Sequence, residues 1–206
     1  MKFKHLLLSS AVLMGMTIFT TPNASASSVE TQESSILNQE SSDAIKDDFY
    51  SNVKVFDENG DLIPYTKEEI QQMVQLSPNN STNVVETNNL ITPYSKYTTF
   101  DYGPMTAEYG FYVGKGANGV AFLNPADTLI TVKGTASKMT VRAYNDTGTG
   151  SGTQAGEMEL PGGWSGTVHV SSWSTLPRNK SYRFYIEING KKMTVDNVQV
   201  WYNWQG

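Results

Sequence analysis

SYRFYIEINGKKMTVDNVQVWYNW, residues 181–204, decides the fold class. Tyr182, Phe184, Ile186 and Ile188 alternate with Arg183, Tyr185 and Glu187, the period of a strand with one buried face. Asn189-Gly190 then reads as a hairpin turn into a second run. In that run Met193 and Val195 share one parity, while Val198, Val200, Tyr202 and Trp204 share the other. A one-residue slip moves every side chain to the opposite face, so the register must shift near Asp196-Asn197, through a β-bulge or a corner between sheets. On this reading Tyr202 and Trp204 enter the core, and Gln199, Trp201 and Asn203 face outward.

The same period recurs upstream. In KMTVRAY, Met139, Val141 and Ala143 oppose Thr140, Arg142 and Tyr144; in GTVHVSSW, Val168 and Val170 oppose Thr167, His169, Ser171 and Trp173. Weaker signals cover EYGFYV, GVAFL, TLITVKG and GEMEL. About eight strands in roughly 110 residues predict an all-β domain over 94–206, an antiparallel β-sandwich or jelly-roll-like fold. VDNVQV, residues 195–200, resembles the last strand of jelly-roll carbohydrate-binding modules, where an acidic residue ligates a structural ion. The resemblance spans six residues and implies the fold alone, since one carboxylate does not make a calcium site.

The N-terminal part has a different character. A basic start, an apolar run from Leu6 to Phe19 and Ala24-Ser25-Ala26 form the pattern of a secretory signal peptide over 1–26, so the mature chain is expected outside the cell. Residues 27–47, rich in Ser, Gln and Glu, have the composition of a disordered acidic linker. From 48 to 93 the sequence predicts a small strand-turn-helix unit and a linker. Val53 and Val55 alternate with polar residues, and Asn59-Gly60 supplies a tight turn. Thr66 with Glu69 forms a capping box opening a helix over roughly 67–76. Such a unit cannot hold a core alone, so it either packs on the later domain or is removed as a pro-segment.

Composition excludes several chemistries. With no cysteine, the chain has no disulfide and no thiol nucleophile. Past the signal segment His169 is the sole histidine, too few for a three-histidine zinc site. Three lysines face twelve carboxylates over 27–93, whereas ten Lys and Arg face eight carboxylates over 94–206. An acidic leader thus precedes a near-neutral domain without a basic cluster, which argues against nucleic acid as partner. No stretch is long enough to span a membrane as a helix, and no cofactor motif survives inspection. GKGANG, residues 114–119, fits G-x-G-x-x-G but lacks the following helix that a dinucleotide site needs, and reads as a glycine-rich hairpin.

The outward residues are the candidate site. Trp173, Trp201, Tyr144 and Tyr185 supply rings, with Gln199, Arg183, Arg142 and His169 among them. Rings flanked by amides and guanidinium groups suit the C–H face and hydroxyls of a sugar, and they also anchor protein interfaces. Trp164 in PGGWSG either tips a turn or plugs the core, and NDTGTGSGTQAG, residues 145–156, reads as a mobile loop. Glu157 and Glu159 share a strand face and are the carboxylates nearest to a hydrolytic pair. The leading expectation is a secreted, non-enzymatic module binding a cell-wall glycan or an extracellular protein. A membrane-active or antibacterial toxin with an acidic pro-segment, and a carboxylate-dependent hydrolase, are the alternatives.

Overall fold

Alternating apolar residues drive the architecture seen in a computed structural model, which describes residues 44–78 and 97–203. Helix α1 covers 44–52. Then follow β1 (Lys54–Phe56), β2 (Leu62–Ile63), α2 (Lys67–Met73), β3 (Val74–Ser77), β4 (Thr98–Tyr102), β5 (Met105–Ala107), β6 (Gly110–Tyr112) and β7 (Phe122–Leu123). The longer strands are β8 (Asp127–Lys133), β9 (Lys138–Asp146), β10 (Ser151–Leu160), β11 (Gly166–Val170), β12 (Ser181–Asn189) and β13 (Met193–Tyr202). A seven-stranded sheet has the order β2-β1-β10-β9-β12-β6, with β7 also on β12; a six-stranded sheet has the order β3-β11-β8-β13-β4, with β5 also on β13. Every pairing is antiparallel, and the two sheets enclose one hydrophobic core. The protein is an antiparallel β-sandwich carrying a small helical unit.

The parity shift in the last strand is a bulge. β13 pairs with β8 in a register that skips between Val195 and Asn197, and Val195, Val198 and Val200 are all fully buried as a result. Gly103 sits against this bulge at φ +149°, where a Cβ would collide with the Asp196 carbonyl oxygen. Tyr202 packs at the core margin, its ring edge-on to Phe122 at 5.2 Å. Trp204 lies outside the described residues, as do the expected signal peptide and most of both expected linkers.

Four local expectations are corrected. Asn189-Gly190 does not close a hairpin: β12 belongs to the seven-stranded sheet and β13 to the six-stranded one, so the turn carries the chain between layers. Two amphipathic strands can meet across a core as readily as side by side, and the turn dipeptide does not distinguish these. Helix α2 stops at Met73, because Val74 and Leu76 alternate with Gln75 and Ser77 and pair with β11 as strand β3. The glycine-rich segment after Asn145 is mostly strand, with β9 and β10 joined by a four-residue connection, 147–150. Helix α1 begins inside the stretch read as linker.

The capping box forms as read: Thr66 Oγ1 accepts from Glu69 N at 3.3 Å, and Glu69 Oε2 accepts from Thr66 N at 2.8 Å. The Asn59-Gly60 turn also forms, with Asp57 Oδ1 accepting from the backbone N–H of Asn59 and of Asp61, each at 2.9 Å. Both elements belong to the sandwich itself. β1 extends one sheet against β10, β3 extends the other against β11, and Phe49, Val53, Ile70, Val74 and Leu76 are buried in the common core. A boundary at residue 94 would cut through both sheets.

Candidate functional site

Register sorts the outward residues by sheet, which parity alone cannot do. On the six-stranded sheet, Gln75, His169, Leu129, Gln199 and Asp101 lie in one cross-strand row. Asp127, Trp201 and Thr99 form the next row. Trp201 and Gln199 are therefore neighbours on one face, with His169 two strands away.

These groups hold one another. The Trp201 indole Nε1–H donates to Gln199 Oε1 at 2.9 Å, two residues back on the same face, and so draws the ring toward the strand axis. Gln199 Nε2 donates to Asp101 Oδ1 at 2.9 Å, and Asn197 Nδ2 donates to the same oxygen at 2.9 Å. Beside them His169 Nε2 lies 3.1 Å from Asp127 Oδ1. Thr131 and Thr167 share a hydroxyl hydrogen bond at 2.9 Å one row further on. Asp101 Oδ2 and Asn197 Oδ1 accept no hydrogen bond among the described residues, so the network is fixed yet keeps outward acceptors. Asp101 and Asn197 were not among the ligand-binding residues expected from the sequence. The alternation Phe100, Asp101, Tyr102 was the available signal, but β4 is only five residues long and its apolar positions are aromatic and half-buried.

Tyr144, Tyr185 and Arg183 occupy the opposite side of the sandwich, on β9 and β12. Tyr185 meets Tyr112 at a ring separation of 4.8 Å, and Tyr112 meets Tyr144 at 6.4 Å. Burial raises the Tyr144 phenol above its ordinary value, so it stays protonated there. Arg142 lies in the same row as Tyr185 and pairs with Glu157, at 2.6 Å, and with Glu187. Burial alone would pull the Arg142 guanidinium down, but the hydrogen bonds and charges of these two carboxylates outweigh it and hold it above the ordinary arginine value. Arg183 is spent on structure: Nε donates to Asp146 at 2.7 Å, and Nη1 donates to the carbonyls of Asn118 and Gly119 at 3.0 and 2.9 Å. It thereby ties down the glycine-rich turn, which no helix follows.

Trp173 is not an outward residue. The chain leaves the strand after Val170 into a 3-10 turn, Ser172–Thr175, which rotates the ring into the core, 3 % exposed. There its Nε1–H donates to Thr128 Oγ1 at 2.9 Å and its ring lies 5.1 Å from Phe184. Trp164 also resolves as a core plug, 1 % exposed, with Nε1–H on the Pro161 carbonyl at 2.8 Å.

Glu157 and Glu159 do share a face, but each has its own cation, Arg142 for Glu157 and Lys138 for Glu159 at 2.9 Å. Among the described residues no group of three or more His, Asp or Glu could hold a metal ion, and no helix is long and apolar enough to cross a membrane. No protein-family model matches the chain, and neither a curated protein nor a solved structure matches it.

Proposed function

We propose that the protein is an extracellular, non-enzymatic binding module whose outer six-stranded face takes a cell-wall glycan. The observation that carries this reading is the chain of hydrogen bonds from Trp201 through Gln199 to Asp101 and Asn197. A half-buried indole held to its own strand offers a ring for the C–H face of a sugar to stack on, with the acceptors of Asp101 and Asn197 beside it for the sugar's hydroxyls. Because the donors and acceptors already hold one another, little side-chain freedom is lost on binding. A protein partner is the second reading, favoured by the three neighbouring tyrosines on the other face, since clustered tyrosines are common interface anchors.

Retention on insoluble cell-wall polysaccharide tests the first reading. Trp201→Ala is expected to weaken retention about tenfold or more, the loss typical of an aromatic anchor, with the fold checked by its unfolding temperature. Tyr144→Ala, on the opposite face, should leave retention unchanged. Undiminished retention in a Trp201→Ala, Gln199→Ala double variant would sink the assignment.

A further inference from the structure

A cleft of about 170 Å³ opens at the β1–β2 edge of the seven-stranded sheet, on the other sheet from Trp201 and Gln199. Its walls are the β1–β2 hairpin, the end of α2, a stretch of β10 and the 3-10 turn that carries Trp173. Ile63, Met73, Trp173 and Leu176 make an apolar floor. On the β10 side the register with β9 skips between Gln154 and Gly156, leaving Ala155 out of the ladder at the cleft wall. Bulges of this kind recur beside binding sites, where they bend a strand away from its partner. A cavity near 150 Å³ holds a benzene-sized molecule, so this one accommodates a single ring or a short alkyl chain.

The charge of the lining is one-sided. Asp57, Glu58 and Glu157 line the cleft, and no Lys, Arg or His does. Two of these carboxylates are already occupied: Asp57 accepts from the backbone of its own turn, and Glu157 pairs with Arg142. Glu58 makes neither a hydrogen bond nor an ion pair among the described residues. The surrounding segment adds to the field, with three lysines against seven carboxylates over residues 44–78. An apolar floor under an unpaired carboxylate selects a molecule that carries both an apolar body and a positive charge.

We infer that this cleft binds a small organic monocation, an amine or guanidine attached to one ring or a short alkyl chain, with Glu58 selecting the charge. The site is independent of the glycan reading, since it shares no residue with the outer face of the six-stranded sheet.

Trp173 offers a reporter, because its ring lines the cleft while its indole N–H is held by Thr128 inside the core. The experiment follows the Trp173 indole N–H resonance, assigned with a Trp173→Phe variant, during titration with phenethylamine and with its neutral analogue phenethyl alcohol. The amine should shift the resonance saturably and bind about fivefold more tightly than the alcohol, the effect of one solvent-exposed ion pair. Glu58→Gln, a change in an exposed turn, should abolish that preference without altering affinity for the alcohol. Equal binding of the two probes, a preference that survives Glu58→Gln, or an unresponsive Trp173 resonance would each overturn the inference.

Discussion

Phe49→Ala measures whether the acidic N-terminal unit belongs to the working fold or is a detachable leader. Phe49 sits on α1 at 3 % exposure, with its ring edge-on to Trp164 at 6.1 Å and to Tyr50 at 5.3 Å. Truncating a buried phenylalanine removes its transfer free energy and leaves a cavity, together about 3–5 kcal/mol. For a protein of this size each kcal/mol lowers the unfolding temperature by about 2–4 °C, so the expected drop is about 6–20 °C. Ile45→Ala on the same helix is the control; Ile45 is 46 % exposed, and its loss should cost under about 0.5 kcal/mol. Thermal unfolding followed by near-ultraviolet circular dichroism reads both, and the single core predicts one cooperative transition that moves as a whole. A sandwich transition unmoved by Phe49→Ala would refute the reasoning and restore the pro-segment reading on which a toxin mechanism depends.

Trp173→Phe should leave the fully buried Thr128 hydroxyl without its donor and cost about 1–3 kcal/mol beyond the lost ring volume. Adding Thr128→Val should recover most of that increment, as a double-mutant cycle in urea would show; strictly additive losses would contradict it. The Asp57 carboxyl is held below its ordinary value, chiefly by the Asp61 backbone N–H; desolvation opposes this, and the lesser hydrogen bonds from Asn59 and Gly60 add to the lowering. A depressed folded value means that its contribution is present above the unfolded value and is lost as pH falls through the folded one. Asp57→Asn should therefore flatten part of the decline in unfolding temperature as pH falls below the ordinary aspartate value of about 4; an unchanged profile would exclude the turn as its source.

The periodicity of residues 181–204 was enough to establish strands, a buried face and a register shift near Asp196-Asn197, because each of these follows from side-chain alternation along one strand; that the shift is a bulge and not a corner between sheets is read from the pairing with β8. Which strand lies beside which is set by contacts between distant segments, and alternation carries no record of them. Hence Asn189-Gly190 looked like a hairpin although it joins two sheets, and residues 151–156 looked like part of a loop although backbone pairing with β9 makes them strand. Trp173 was misplaced for a related reason. Its parity was counted along a strand that ends at Val170, and beyond that point the 3-10 turn has a different rotation per residue.

The partition of the outward residues between two faces also explains why one face is the better candidate. On β9 and β12 the polar groups beside the tyrosines are ionic and matched, Arg142 with Glu157 and Glu187, and Arg183 with Asp146 and two carbonyls. A ligand arriving there must compete with charge-assisted bonds that are stronger than those it can offer in exchange. The groups beside Trp201 are joined by single hydrogen bonds that fix their orientation and leave acceptors of Asp101 and Asn197 unused. Aromatic content therefore does not favour the ion-paired side, even though Tyr112, Tyr144 and Tyr185 cluster there while Trp201 is the ring that Gln199 holds on the other face. What distinguishes them is unspent hydrogen-bonding capacity next to a ring, and this selects Trp201, Gln199, Asn197 and Asp101 as the residues whose substitution should be felt first by a glycan.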